Sequence, residues 1–493
     1  MKRGLGWLLL GAMSIAPLRA QVPVAELKTR LAELERTMPD GVLLVLGAQE
    51  PEADYLTLVQ TPEFWYFTGV REPGAALLVT KHGSDATATL FVPPAHTIRG
   101  GFPIHGPGPA VIARQTGIAA RPSGELRGTL DSALVGAARL LVAGGSEGAP
   151  VISEIRQAFP SVEMSDYASA IGRIRARKSP AELALIRKAA EITVMAQREA
   201  MQLVAPGLNE FEVQALIEYT FRRNGADRPS FASIVGSGPN STDLHYSVND
   251  RFMTAGDVVV MDIGASYRGY AADVTRTLPV SGTFTPEQRA IYGIVRNAQR
   301  AAEKQATLGA PARPMEDSAR AELTRGLVSL GLIEGAGATY DGGDSFCPRV
   351  SADAGCPQWY LYYYHSIGHG IGLEVHDPDQ YYFPPGRIAQ GSAFTIEPGL
   401  YVRDSLAADL SDTPRNRAML AKIGPALARF RNIGIRIEDD YVATDRGVEW
   451  VSRAPREIDE VEALMKQHAA SPAPRKPDVV EWYRATLPVS APR

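Results

Sequence analysis

Cysteine is almost absent, with two in 493 residues. Two thiols cannot build a disulfide framework or the four-thiolate cage of a structural zinc site. Any metal chemistry must come from carboxylates and histidines. A basic excess is missing as well: 51 Lys and Arg stand against 55 Asp and Glu, a formal net charge of −4. That balance argues against nucleic acid as a partner. Beyond the first twenty residues, no apolar run approaches the ~20 residues that a membrane span needs. No repeat of fixed short period is found. The charged fraction of 22% is ordinary, which excludes a disordered or collagen-like chain. What remains is a globular chain, long enough for two to four domains of ~100–200 residues each.

Residues 1–20 read as a secretory signal. Lys2 and Arg3 give the positive start, 5–15 form a short apolar run, and Pro17 to Ala20 end it. Cleavage after Ala20 leaves a mature chain that is periplasmic or secreted. Losing Lys2, Arg3 and Arg19 takes the charge from −4 to −7. In an oxidising compartment Cys347 and Cys356, nine positions apart, are expected to form a disulfide.

Apolar runs at 42–46, 75–80, 87–92 and 138–142, split by turn residues and helical stretches at 24–38 and 151–158, predict a mixed α/β domain over 22–170. Its Phe64-Trp65-Tyr66-Phe67 run reads as domain core, or as the lining of a cleft or interface. An Arg-rich stretch from Ile171 to Lys178 follows, whose charges read as a solvated helix face. Ser179, Pro180 and Glu182 predict a capped helix start, with the helix running to about Val204. A second domain spans 171–468. Its strand candidates are 257–263, 272–278, 372–376, 392–396 and 433–438. The proline-bearing segment 469–493 reads as an extended tail, in which 479–483 could dock on the body.

Four acids sit at apolar strand positions. If Tyr267 and Arg268 form the hairpin turn, Asp262 faces Asp273 across the strands, with Cβ atoms ~4.5–5.5 Å apart. Facing carboxylates repel unless a proton or a cation lies between them. Glu397 ends the run 393–396, and Glu438 shares a strand face with Arg436. Three of the eight histidines, His365, His369 and His376, fall within twelve positions, among glycines that permit close backbone approach to a ligand. His245 follows another Gly-rich stretch. Four carboxylates and an imidazole suit Mn²⁺, Co²⁺, Fe²⁺ or Zn²⁺. Five protein ligands are too many for one open catalytic metal, and fit two metals that share carboxylates.

The segments MDIGASYRGYAADVTRT (261–277), HSIGHGIGLEVHD (365–377), TIEPGLY (395–401) and GIRIEDD (434–440) resemble, in order, the pita-bread metallopeptidases. FWYFTGVREPGAALLV (64–79) is similar to the accessory domain of aminopeptidase P and prolidase. The resemblance implies an α+β chain, with a creatinase/prolidase-like N-terminal domain and a C-terminal pita-bread catalytic domain. It implies two divalent ions, Mn²⁺ first among the four. Asp262 would chelate one ion, Asp273 and Glu438 would bridge both, and His369 and Glu397 would bind the other. His245, His365 and His376 would line the substrate site. Glu397 would also shuttle a proton, and Arg436 would orient the carboxylates. The implied activity is removal of the residue before proline from a peptide's N-terminus, by a metal-bridging hydroxide. The alternatives are an Xaa-Pro dipeptidase and, more remotely, a non-catalytic binding protein on this fold. Proline-containing peptides are the implied partners, and a homodimer or homotetramer the implied assembly. Ser366 stands where the family often has glycine, while 337–360 and 403–431 look longer than usual.

Overall fold

The computed structural model describes residues 22–53, 56–99, 102–144, 150–342, 347 and 355–467. The expected signal (1–20) and tail (469–493, with its 479–483 segment) lie outside the described residues.

Helix α1 (Val24–Thr37) leads into β1 (Gly41–Leu46), followed by α2 (Pro62–Thr68), β2 (Ala76–His82), β3 (Asp85–Val92), β4 (Ala119–Pro122), β5 (Arg139–Ala143) and β6 (Glu163–Asp166). These strands form one sheet in the order β4-β3-β2-β1-β5-β6. The β1–β2 and β2–β3 pairs are antiparallel, and the three outer pairings are parallel. All six residues of β1 are buried, as expected for a central strand covered on both faces. In α2, Phe64, Tyr66 and Phe67 are core. Trp65 instead reaches the hairpin turn of the second half, where a Cβ on Gly269 would strike its indole. The aromatic run thus supplies both core and interface.

Helix α3 (Ala168–Arg175) connects to α4 (Pro180–Leu203). Ser179 caps α4: its side chain accepts from the Glu182 amide, and Glu182 returns the bond, which is the capping box that the sequence predicts. The expected solvated face of 171–178 does not hold for two of its cations. Arg175 and Lys178 are 2% and 3% exposed, and each pairs with a carboxylate. The charge pattern concealed this because their acids lie about 200 residues away in sequence.

Among the described residues the second half carries five small sheets, three of which bear on the site. One contains β7 (Ile234–Ser237), β8 (Val258–Ile263) and β9 (Val274–Pro279), in that order. The strands β10 (Ala393–Ile396), β11 (Gly399–Val402), β12 (Ile433–Arg436) and β13 (Asp439–Thr444) make the pairs β10–β13 and β11–β12. Helices α4, α5 (Glu210–Arg223), α6 (Pro286–Gln305) and α7 (Arg313–Leu330) cover them. One apolar cluster runs from Leu43 and Val45 in the N-terminal sheet through Ile186 to Tyr270 and Ile371, so burial is continuous between the halves.

Three local expectations change. The hairpin turn is Arg268-Gly269, not Tyr267-Arg268, because both turn residues take positive φ (55° and 87°) and glycine accepts that without strain. Asp262 therefore pairs with Thr275. Next, 372–376 is a series of bends rather than a strand, since Gly372 and its neighbours pack against Asp377. Finally, the 433–438 strand stops at Arg436, and the chain changes sheets through Ile437 and Glu438.

Cys347 and Cys356 are bonded, with Cα atoms 5.7 Å apart. The unreduced protein will therefore be two hydrogens lighter than its sequence mass and will take up no thiol label. Labelling of both cysteines without reductant would contradict the bond.

Candidate metal centre

Backbone register brings the acids and histidines together. The segment 367–371 runs antiparallel to β10: the amides of Ile371, Thr395 and Glu397 bond to the carbonyls of Ala393, His369 and Ile367. A Cβ on Gly368 would collide with the Thr395 carbonyl, and one on Gly370 with that of Asp377. These glycines admit neighbouring backbone, not a ligand. The result sets His369 beside Glu397. On the other side, the Glu438 amide bonds to the Thr275 carbonyl at 3.1 Å, tying the break between β12 and β13 to β9. Asp273 lies two residues before Thr275, so it shares a strand face with Asp262 despite the shifted register.

His369 Nε2 lies 3.6 Å from Asp273 Oδ2, 3.5 Å from Glu397 Oε1 and 3.8 Å from Glu438 Oε1. Its Nδ1 is 3.1 Å from the Gly370 carbonyl, which fixes the proton there and leaves the Nε2 lone pair facing the acids. Burial, then His376, lowers the His369 pKa to about 4, so the ring is neutral. Ligand atoms of Asp273, His369 and Glu438 all lie within 4.8 Å of one another. Buried Oδ1 of Asp262, Oδ1 of Asp273 and Oε1 of Glu438 have no hydrogen-bond partner. Acceptors converge here without a proton donor among them, and unpaired buried charge costs several kcal/mol. A cation resolves both problems. The donor set of carboxylate oxygens and imidazole nitrogen fits a divalent metal.

The carboxyl pKa values report the same crowding. Glu438 is pushed up to about 8 by burial and then by Asp262. Asp273 and Glu397 are also held well above the carboxylate range, by burial and then by Glu438.

Arg436 organises one side. Its guanidinium donates to Asp262 Oδ2 at 2.6 Å and to the Tyr401 hydroxyl at 2.8 Å. Tyr401 lies 3.0 Å from His365 Nε2, while His365 Nδ1 lies 2.9 Å from the Ser366 carbonyl. Both nitrogens of His365 are thus engaged by the protein, and burial, then Arg436, lowers its pKa to about 3. His245 and His376 are exposed, on the wall of a cleft of about 790 Å³ that Asp262, Asp273, His365, His369, Glu397, Arg436 and Glu438 also line. Phe231, Ile234, Leu244 and Val375 give the cleft an apolar side.

Sequence reasoning missed three supports. Thr275 Oγ1 donates to Glu438 Oε2 at 2.7 Å. Asp440 accepts the Asp273 amide at 3.2 Å, and Tyr401 bridges Arg436 and His365. Thr275 and Tyr401 both lie inside the recognised motifs, at i+2 and i+4 from ligand candidates, where a shared face was open to inference.

The model of metallopeptidase family M24 matches residues 184–445, and that of the aminopeptidase P N-terminal domain matches 27–141. The Xaa-Pro aminopeptidase of Escherichia coli (strain K12) is 31% identical over 466 residues, covering 89% of this chain and 96% of that protein. A human Xaa-Pro dipeptidase is 32% identical over 313 residues, 59% of this chain and 60% of that protein. Zinc-substituted E. coli aminopeptidase P in complex with product superposes with a TM-score of 0.74 at 29% identity, covering 92% of this chain and 100% of that one. The chain therefore belongs to metallopeptidase family M24, as a metallo-aminopeptidase whose catalytic domain follows an aminopeptidase P N-terminal domain.

Proposed function

We propose that the chain is an exported Xaa-Pro aminopeptidase working with two divalent ions. One observation carries the reading: three buried carboxylates, the half-buried Glu397 and a neutral histidine converge, the three buried ones each with an oxygen that no donor satisfies. Asp262, Asp273, His369, Glu397 and Glu438 would hold the ions, with Asp273 and Glu438 shared. Mn²⁺ is the first choice for so oxygen-rich a set. Ions of this class supply Lewis acidity and an acidified water as nucleophile.

The protein's own groups do the rest. Glu397 lies between His365 and His369, at 3.6 and 3.5 Å, and can receive a proton at one oxygen and return it to the departing proline nitrogen. The exposed His245 and His376 present ring nitrogens to the substrate amide, and the tetrahedral oxyanion gains their hydrogen bonds. The apolar side of the cleft suits a pyrrolidine ring. Arg436 holds the Asp262 carboxylate in place through its 2.6 Å bond to Oδ2.

The same cleft supports an aminopeptidase over a dipeptidase. Arg436 is the permanent cation among its described lining residues, and Asp262, Tyr401 and the Leu244 carbonyl already occupy its guanidinium. No free cation there is left to receive a dipeptide carboxylate. Export is supported by the N-terminal pattern and by the Cys347–Cys356 bond, since disulfides persist in oxidising compartments.

Assaying the metal-reconstituted enzyme on an Xaa-Pro-Xaa tripeptide against an Xaa-Pro dipeptide tests the reading. The tripeptide is expected to be the better substrate by kcat/KM. Cleavage of the dipeptide alone would overturn it.

A further inference from the structure

The segment between the two family-matched regions carries a feature that the proposed reaction does not use. Arg175 ends α3, and Lys178 lies just before the cap of α4; neither matched region, 27–141 or 184–445, includes them. Both are buried cations. Arg175 divides its guanidinium among three acids from two places in the fold. Nη1 meets Glu63 Oε1 at 3.2 Å, on α2 of the N-terminal domain. Nη2 meets Glu374 Oε2 at 2.8 Å and also Asp377 Oδ1. Lys178 Nζ meets Asp377 Oδ2 at 3.1 Å and the Pro378 carbonyl.

The two acids on the far side bracket His376. Asp377 follows it directly, and Glu374 precedes it by two. Asp377 is 2% exposed and ties the loop to itself: its Oδ1 accepts the Glu374 amide at 3.1 Å, and its amide donates to the Gly370 carbonyl at 2.8 Å. That carbonyl is the one facing His369 Nδ1. The Gly372 carbonyl in turn accepts the Ala271 amide at 2.7 Å, two residues before Asp273. His376 itself is exposed, with its ring centroid 4.1 Å from that of His369. Since 372–376 has no regular secondary structure, the loop depends on these anchors for its shape.

We propose that Arg175, with Lys178, is a positioning residue that holds His376 in the substrate cleft, and that Glu63 makes the N-terminal domain part of that hold. The proposal rests on the Xaa-Pro reading only for the substrate that His376 meets. A single planar guanidinium can serve three carboxylates at once, whereas a lysine at 175 could not keep the same geometry. Glu374 is 46% exposed, so its arm is the weaker one; Asp377 and Glu63, at 2% and 14%, carry more of the effect.

The test uses the full-length holoenzyme carrying Arg175→Lys or Glu63→Gln, each also combined with His376→Ala. Amide hydrogen exchange comes first, without substrate. Arg175→Lys is expected to speed exchange across 370–378 by about tenfold while β8 and β9 stay unchanged. Glu63→Gln, which leaves Asp377 paired, should speed the same amides by about threefold, and serves alone if the lysine variant fails to fold. Turnover of an Xaa-Pro peptide comes second. Arg175→Lys should lower kcat/KM by about tenfold with bound metal unchanged, but by less than about twofold when His376 is already alanine, because one residue acts through the other. Unchanged exchange at 370–378, exchange that rises uniformly over the chain, or full additivity with His376→Ala would each overturn the proposal. A wild-type enzyme inert on Xaa-Pro peptides, yet showing the localised exchange change, would sink the substrate reading and leave the positioning role standing.

Discussion

Asp273→Ala and Glu438→Ala should each release bound metal and reduce Xaa-Pro hydrolysis by about 10³-fold or more. Both side chains reach the centre of the cluster: with His369 they place ligand atoms within 4.8 Å of one another. Each also holds a buried oxygen for which the protein offers no donor. If the two are shared between two ions, as proposed, neither can be lost without weakening both sites. Alanine at either position also relieves the repulsion among the remaining acids, so the chains should fold without their metal. Elemental analysis of dialysed protein, beside turnover of an Xaa-Pro-Xaa peptide, checks the prediction. A variant that keeps both the metal and the rate would remove Asp273 or Glu438 from the centre.

The cluster was legible from sequence because its signal survives error in the fold. The hairpin register inferred from 262–273 was wrong, yet the partner of Asp262 moved by two residues, from Asp273 to Thr275. Strand faces repeat every two residues, so such a slip keeps Asp262 and Asp273 on one face. A slip of one would have separated them. The helix start at Ser179 was legible for a similar reason: a capping box is written in four adjacent residues. Contacts between distant segments had no such local script. Arg175 and Asp377 are 202 positions apart, and a cation on a helix reads as solvated until its partner is known. The glycines of the histidine loop gave the right location for the wrong reason. They make room for the carbonyls of Thr395 and Asp377, and this packing places His369. The irregular course of 372–376 was hidden because its alternating residues satisfy a strand pattern, while Asp377 pulls the backbone off it.

Chelated protein should lose thermal stability as pH rises from about 5 to about 8, and Glu438→Gln should remove much of that loss. Burial, and then Asp262, raises Glu438 from the usual 4.5 to about 8. Asp273 and Glu397 are displaced in the same direction. Below the ordinary glutamate value, folded and unfolded chains both hold the proton, and the group adds nothing to the pH dependence. Between the two values the unfolded chain ionises while the folded chain still holds its proton. Stability then falls by about 1.4 kcal/mol for each pH unit crossed by such a group. Above the folded value both states are ionised and the penalty is complete. A divalent ion takes the place of the proton, so added Mn²⁺ should restore the Tm at the alkaline end by mass action on the folded state. Glutamine cannot ionise and is a poor ligand. At about pH 8 the chelated variant should therefore melt above chelated wild type, and below it once metal is present. Melting curves of the two proteins, with and without metal, test that reversal. A chelated wild type whose Tm is flat or rising across this range would mean that the buried acids are neutralised by something other than protons or metal.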